Sequence, residues 1–201
     1  MRGLACGRRL GAVVTAGALF VMVAAGCGDD APERHTSPAS TAQVGPKCSA
    51  LRSSKDLEYA AYSPLIDFVF VSGEGERARY DSLTRGQRML WATRLLEDEV
   101  NNGGFNQYFW NTRGATLDDA IRGFQTFGTR AHTELARKAG EIYAKDKERL
   151  AKAQAEGTLD AFSESYDDQP HEALDSRFYG LSSPPGRPAY LRSHLRQFCL
   201  P

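Results

Sequence analysis

The fold is determined by residues 84–114, TRGQRMLWATRLLEDEVNNGGFNQYFWNTRG. Thr84 followed three residues later by Gln87 is typical of a capping box, in which each side chain bonds the other residue's backbone N–H. Apolar residues then recur at helical spacing, at Leu90, Trp91, Leu95, Leu96 and Val100. Asn101–Gly104 interrupts this pattern, because Asn and Gly tolerate the left-handed conformation that ends helices. The sequence therefore predicts a helix from Thr84 to about Val100.

A short second helix, Phe105 to Asn111, is predicted directly after this turn. Phe105, Tyr108 and Phe109 fall on one helical face, which we expect to be core. Trp110 points away from that face, and it is either a second packing contact or an exposed aromatic ringed by amides that could recognise a partner. Asn101 and Asn102 are either turn formers or part of the same surface. The candidate interaction surface is Asn101, Asn102, Gly103, Gly104, Asn106, Gln107, Trp110 and Asn111.

The rest of the chain also shows helical periodicity, and alternating Val- and Ile-rich runs are nearly absent. Predicted helices cover about 55–71, 116–127, 130–155, 171–181 and 188–198, with Pro64 dividing or kinking the first and Thr116 capping the second. Residues 73–77 are predicted to be a loop. We therefore expect residues 48–201 to form one compact all-α domain of about six to seven helices.

The start of the chain is typical of a lipoprotein signal peptide over residues 1–26. Arg2, Arg8 and Arg9 precede an uncharged apolar run, which ends in small residues before Cys27. We expect Cys27 to carry the lipid and to hold the protein outside the cytoplasm. Gly28 after Cys27 favours the outer membrane if the cell has two. The alternative is an uncleaved anchor, although the run is shorter than a spanning helix needs.

Two cysteines remain after Cys6 leaves with the signal and Cys27 is lipidated. They are Cys48 and Cys199, and an even pair in an exported domain favours a disulfide over two free thiols. Residues 27–47 are rich in Pro, Ser, Thr and Gly and are predicted to be a disordered linker. Removing three arginines from 25 basic residues leaves 22 against 25 acids, a net charge of −3, which argues against a nucleic-acid partner.

The sequence offers few catalytic candidates. Glu97, Asp98 and Glu99 are adjacent, so they face different directions on a helix and are expected to be a solvated acidic edge. The histidines are scattered along the chain, at His35, His132, His171 and His194, without metal-ligand spacing. No nucleophile elbow, phosphate loop or dinucleotide motif is present, so we expect no catalytic residue, metal or cofactor. The alternative is a hydrolase or metal-dependent enzyme using Glu97 or Glu99 with a histidine.

Residues 84–114 resemble the signature region of a bacterial domain-of-unknown-function family named for the C-terminal domain of a DNA-mimic protein. The later stretches ALDSRFYGL (173–181) and AYLRSHLRQF (189–198) are similar to its later helices, so the resemblance covers about 84–198. It implies a compact all-α fold and a role in protein–protein contact, with no established enzyme activity. DNA mimicry itself is not expected, because a mimic needs a dense rail of negative charge and here acids and bases are interleaved.

Together these observations predict a membrane-anchored lipoprotein with a helical protein-interaction domain at the cell envelope. Its expected partners are the membrane, through the lipid on Cys27, and an unidentified protein. Besides the enzyme, a further alternative is an immunity-type protein that neutralises a toxin.

Overall fold

The computed structural model describes residues 44–70, 75–167 and 170–201. These residues form nine α-helices, followed by one turn of 3₁₀ helix at Leu195–Gln197. In chain order the helices are α1 (Cys48–Ser53), α2 (Leu57–Val69), α3 (Glu76–Ser82), α4 (Arg85–Thr112), α5 (Leu117–Thr126), α6 (Arg130–Glu156), α7 (Leu159–Glu164), α8 (Glu172–Tyr179) and α9 (Arg187–Ser193). Within the described ranges the β structure is an isolated bridge between Lys47 and Leu200. The predicted all-α class is confirmed.

Helix α4 is the central element, and it contributes to two different cores. Leu90 and Trp91, near its start, lie with α1, α2, α3 and α9, where Trp91 packs between Tyr62 and Phe70. Its contribution to the second core begins at Ala92, with α5, α6 and α8, where Phe109 stacks on Tyr143 at 4.2 Å. Since one helix belongs to both cores, it fixes their relative position.

The start of α4 forms as predicted. Thr84 Oγ1 accepts a hydrogen bond from the Gln87 N–H at 3.1 Å, and Gln87 Oε1 accepts one from the Thr84 N–H at 3.0 Å. Both bonds satisfy donors that a helix N-terminus otherwise leaves free, so the predicted capping box is confirmed. Phe105, Tyr108 and Phe109 are fully buried, as their shared face predicted.

Several predicted elements are corrected by the structure. Helices α1, α3 and α7 were missed, because six or seven residues are too few to show a helical period; nine helices therefore replace the six to seven expected. Residues 76 and 77, which were predicted to belong to a loop, are the first residues of α3, and Gly75 is its N-cap residue. Pro64 lies inside α2 without dividing it. Thr116 is the N-cap residue of α5, as predicted, but its hydroxyl makes no capping hydrogen bond and lies instead 3.0 Å from Tyr108 Oη.

The two ends of the described chain meet. A disulfide joins Cys48 and Cys199, as predicted, with 4.9 Å between their Cα atoms. Residues 44–47, which were predicted to belong to the linker, are instead part of the domain. Gln87 Nε2 donates to the Val44 carbonyl at 2.7 Å, and Leu200 N–H donates to the Pro46 carbonyl at 2.8 Å. The remainder of the predicted linker and the predicted signal peptide, with Cys27, lie outside the described residues. None of the helices described is both long and apolar enough to cross a membrane.

Candidate functional site

The turn at Gly103–Gly104 is the centre of the candidate site. Gly103 (φ −159°, ψ 27°) and Gly104 (φ 76°, ψ 180°) leave the helical conformation and divide α4 into two segments. Behind the turn, Gln107 Nε2 and Asn111 Nδ2 both donate to Glu99 Oε2, at 2.7 and 2.8 Å. In an uninterrupted helix residues 99 and 111 would lie about 18 Å apart along the axis. The glycines therefore turn the second segment back towards the first and bring both amides to Glu99.

The carboxylate of Asp175 caps the second segment. Its Oδ1 accepts a hydrogen bond from the backbone N–H of Phe105 at 2.8 Å. A Cβ on Gly104 would lie 2.5 Å from the other oxygen, Oδ2, so glycine is required for this close approach. Burial raises the pKa of Asp175, and the bond from Phe105 opposes that rise. Asp175 thus links α8 to the turn.

Residues after α7 cover the other side of the turn. Tyr166 Oη donates to the Gly103 carbonyl at 3.0 Å, and Asn106 Nδ2 donates to Ser165 Oγ at 2.8 Å. Burial raises the pKa of Tyr166 to about 12, so its hydroxyl keeps its proton and its role as a donor at neutral pH. The turn is therefore held by side chains from two separate parts of the chain.

The structure contradicts part of the predicted interaction surface. Asn106 and Gln107 were expected to be exposed around Trp110, but they are 5% and 6% exposed. Their amides bond to Ser165 and Glu99 inside the domain, because the turn folds their helix against the first segment. Gly104 is also buried. These three residues cannot form a binding surface.

The other predicted surface residues lie at or near the surface. Asn101 and Asn102 are exposed, whereas Gly103 and Asn111 are half-buried. Trp110 is also half-buried, and its ring packs edge-on against Phe162 with 5.0 Å between centroids. Its carbonyl accepts a hydrogen bond from Gln154 Nε2. Trp110 therefore makes the second packing contact that the sequence left open, and the residue is only half-buried.

Three aromatic residues that the sequence did not single out extend this surface. Phe162 packs between Trp110 and Tyr166, with 5.3 Å to the Tyr166 ring. Tyr179 is 52% exposed and follows Asp175 by one helical turn of α8, so it lies on the same side as the turn. We name the group the turn surface: Asn101, Asn102, Trp110, Phe162, Tyr166 and Tyr179. Phe162 and Tyr166 were missed because α7 is too short to give a sequence pattern, and Tyr179 because only the fold brings α8 beside the turn.

The acidic cluster is not the solvated edge that was predicted. Glu97 and Glu99 are buried, and only Asp98 is exposed. Glu97 Oε2 lies 2.7 Å from Nη2 of Arg187, whose side chain is fully buried. Burial raises the pKa of both Glu97 and Glu99, while their partners, Arg187 for the first and two amides for the second, act in the opposite direction. The three carboxylates face different ways, as expected, but Glu97 and Glu99 bond to partners within the domain and only Asp98 faces solvent.

The buried histidines lie among aromatic rings. His132 stacks on Phe124 at 4.9 Å and meets Phe178 edge-on at 5.3 Å. Burial lowers the pKa of His132 to about 4, and the Arg187 charge adds to this effect. His171 Nε2 lies 3.3 Å from the Ala139 carbonyl, and burial lowers its pKa as well. His194 is exposed, and His35 lies outside the described residues.

The histidines are not paired with the buried acids in the described part of the chain. No hydrogen bond or ion pair there joins a histidine to Glu97 or Glu99. The same residues contain no group of three or more His, Cys, Asp or Glu side chains arranged to hold a metal ion. The site consists of a turn that is held by hydrogen bonds and is surrounded by exposed amide and aromatic side chains.

Comparisons with known proteins bear on the same region. No curated protein and no solved structure matches the chain. A family model does match, described as DMP19-like protein, over residues 81–196. The match includes the turn, the Glu99 cluster and Asp175, and it agrees with the resemblance that the sequence motifs indicated over 84–198. The chain belongs to the DMP19-like protein family.

Proposed function

We propose that this chain is an exported lipoprotein whose DMP19-like domain binds another protein at the cell envelope. The observation that carries the proposal is the disulfide between Cys48 and Cys199. Disulfides persist in oxidising compartments outside the cytoplasm and are rare inside it. The bond therefore supports the export that the basic, apolar and small residues before Cys27 predict. Lipid on Cys27 would hold the domain at a membrane, and Gly28 favours the outer one where there are two.

The turn surface supports protein binding as the role of the domain. It combines exposed amides, Asn101 and Asn102, with the accessible aromatic Tyr179. Aromatic side chains provide large contact areas at protein interfaces, and amides add directed hydrogen bonds. The surface is also rigid, because Asp175 and Tyr166 hold the backbone beneath it. Rigid surfaces lose little conformational entropy on binding.

The pairing of acids with arginines argues against DNA mimicry as the way in which the domain binds its partner. Asp98, Asp81 and Asp119 each lie within 3.5 Å of an arginine. A DNA mimic needs a row of uncompensated charges at the spacing of phosphates. A toxin would be one possible partner under the same proposal, since neutralising a toxin is also protein binding.

A non-catalytic role is supported by the way the acids are engaged. Glu97 bonds to Arg187, and Glu99 accepts two amide hydrogen bonds. An enzyme of the kind considered from the sequence would need one of these carboxylates beside a histidine. His132, which is buried, is instead packed on Phe124 and Phe178.

Metabolic labelling with a palmitate analogue tests the anchor. We expect the full-length protein to take up the label and Cys27→Ser to lose it. Cys6→Ser is the matched control, since Cys6 lies within the predicted signal peptide and its loss should leave labelling unchanged. Label that persists in Cys27→Ser, or none in the native protein, would overturn lipid attachment at this residue.

Photo-crosslinking in intact cells tests the partner surface. A photoreactive residue placed at Asn102 should yield a discrete crosslinked protein, and Tyr179→Ala should weaken that product. The control position is Gln125, which is exposed on α5 away from the turn. Equal crosslinking from both positions, or no effect of Tyr179→Ala, would show that the turn surface is not the binding face.

A further inference from the structure

A groove lies at the end of the domain where its two terminal segments meet. Segment 44–55 and segment 188–201 are joined by the disulfide and by the backbone bonds between Pro46, Cys48 and Leu200. The groove has a volume of about 530 Å³. Its lining residues are Cys48, Arg52, Leu195, Arg196, Cys199 and Pro201.

Both segments carry positive charge without any acid. Neither contains Asp or Glu, and together they hold Lys47, Arg52, Lys55, Arg192 and Arg196, all of them exposed. Across the described ranges, no ion pair involves any of these five side chains. Since the chain from residue 27 onwards has a net charge of −3, this end is positive on an otherwise negative molecule. Arg52 and Arg196 both line the groove, so the fold brings a cation from each terminal segment together with no acidic side chain in the lining.

A second groove differs from the groove at the disulfide end in the charges that line it. The second groove, of about 510 Å³, is also lined by two arginines, Arg130 and Arg137. It contains Glu134 as well, and the Glu134 carboxylate lies 2.7 Å from Arg130 Nε. The two grooves have similar volumes and equal numbers of arginines, so they differ chiefly in whether the positive charge is compensated.

The position of the chain's entry point indicates what would occupy the positive end. Residues 28–43 separate the predicted lipid attachment site at Cys27 from Val44, which lies beside this end of the domain. If Cys27 carries lipid, the domain end nearest the anchor faces the membrane. We propose that this positive end docks on anionic phospholipid headgroups, with Arg52 and Arg196 holding headgroup phosphates in the groove. This inference rests on the proposed lipid anchor, and it adds a position: Val44 contacts Gln87 at the start of α4, whereas the turn surface adjoins Gly103–Gly104, about 24 Å further along the helix.

Vesicle binding tests the proposal without any contribution from the anchor. The protein is the chain 27–201 with Cys27→Ser, which keeps every residue that the structure describes. We expect it to sediment with vesicles that contain about one-third phosphatidylglycerol and not with vesicles of phosphatidylcholine alone, with binding lost as salt is raised. Arg52→Gln with Arg196→Gln should lower the partition coefficient by about 25-fold, since each cation near an anionic surface changes it by about fivefold.

Two further variants keep the test decisive. Arg130→Gln with Arg137→Gln removes the same charge from the second groove and should change binding by less than about twofold. Ser49→Lys adds a cation to exposed residue 49 on α1 and should strengthen binding by a few fold. Equal binding to both kinds of vesicle, or equal losses from both arginine pairs, would overturn the proposal.

Two further measurements distinguish membrane docking from binding of a soluble phosphate compound, and the docking proposal from the proposed lipid anchor. If inorganic phosphate or glycerol phosphate at micromolar concentration displaces the protein from vesicles, the groove binds a free phosphate compound and the membrane assignment is wrong. If palmitate labelling of Cys27 succeeds while vesicle binding fails, the docking proposal alone is overturned. If labelling fails while vesicle binding succeeds, the groove retains its lipid affinity and the anchor is rejected.

Discussion

Nη2 of Arg187 lies 2.7 Å from Oε2 of Glu97, and both side chains are buried. The same guanidinium donates to Glu58 Oε1 at 2.6 Å, so one arginine connects α9 to α2 and α4. Its carbon lies 5.5 Å from the centre of the Phe127 ring. A buried cation with two carboxylates is a structural joint, since removing the cation leaves negative charge without compensation in the interior.

Replacing that cation should be strongly destabilising. We expect Arg187→Met to lower the free energy of unfolding by about 3–5 kcal/mol, because Glu97 is left as a buried unpaired charge. Arg77→Gln is the control: it breaks an exposed pair with Asp81 and should cost less than about 1 kcal/mol. Urea denaturation measures both changes. Similar losses for the two variants would contradict the role assigned to the buried joint.

The turn should be far less tolerant of a side chain at Gly104 than a comparable glycine elsewhere. Gly104 (φ +76°) and Gly128 (φ +74°) have similar φ angles, but a Cβ meets Asp175 at 2.5 Å in the first and nothing within 4 Å in the second. We expect Gly128→Ala to cost about 1 kcal/mol, for backbone strain alone. Gly104→Ala should cost about 2–3 kcal/mol more, because the Asp175 cap must move and because φ 76° with ψ 180° is a conformation almost restricted to glycine. Equal costs in chemical denaturation would show that Asp175 does not constrain the turn.

The cap itself can be tested by changing Asp175. Asp175→Ala should lower stability by about 1–2 kcal/mol, since the Phe105 N–H loses its acceptor. Asp175→Asn retains an oxygen acceptor and should recover most of that loss. Glu172→Ala, at an exposed position of the same helix, is the control and should change stability by less than about 0.5 kcal/mol. Hydrogen exchange at Phe105 should accelerate in the Ala variant alone.

His132 should make the domain less stable in mild acid. Its pKa is lowered to about 4 in the folded protein, against about 6.5 when unfolded. As pH falls below about 6.5 the unfolded state takes up the proton first, so the stability present at neutral pH is lost progressively towards pH 4. Between pH 7 and pH 5 this histidine should account for a loss on the order of 2 kcal/mol.

The measurement compares slopes and not absolute stabilities. The buried acids Glu97 and Glu99, with raised pKa values, contribute with the opposite sign as pH falls, so the native protein alone does not isolate His132. The slope of unfolding free energy against pH should therefore change in His132→Gln. Between pH 7 and pH 5 the variant should lose about 2 kcal/mol less than the native protein. An unchanged slope in His132→Gln would contradict the assignment.

The disulfide should contribute a large part of the domain's stability. Cys48→Ser with Cys199→Ser should lower the free energy of unfolding by about 2–5 kcal/mol, because the bond closes a loop of 151 residues. Mass spectrometry of the native protein with and without reductant should differ by two hydrogens. Identical masses would mean that the bond does not form in the purified protein.

The features predicted from sequence are those that depend on neighbours a few residues apart. The capping box at Thr84 and Gln87, the core face of Phe105, Tyr108 and Phe109, and the break at Gly103–Gly104 all have local signatures. The Cys48–Cys199 disulfide could be predicted because only two cysteines remain after Cys6 and Cys27, and because an exported domain favours a disulfide. These predictions held because the physical cause of each lies within one or two helical turns, or in covalent chemistry.

The features that were missed depend on residues distant in sequence. Glu99 sits in an acidic run that resembles a solvated helix end, and only the reversal at the turn brings Gln107 and Asn111 to it. Asp175 reaches Phe105 across 70 residues, and Arg187 reaches Glu97 across 90. No local pattern distinguishes such a charged residue from one on the surface. Buried polar contacts of this kind follow from the tertiary fold alone.

The joining of segments 44–48 and 198–200 also sets an order of events during synthesis. The backbone partners of Pro46 and Cys48, and the sulfur that bonds to Cys48, belong to residues made about 150 positions later. The first segment of the domain to leave the ribosome therefore has to wait, unpaired, for one of its final segments. Helices α4 to α6 can pack on one another while that wait lasts. A nascent chain arrested before residue 199 would thus hold its second core with its first left open, and Cys48 would stay available for a wrong partner.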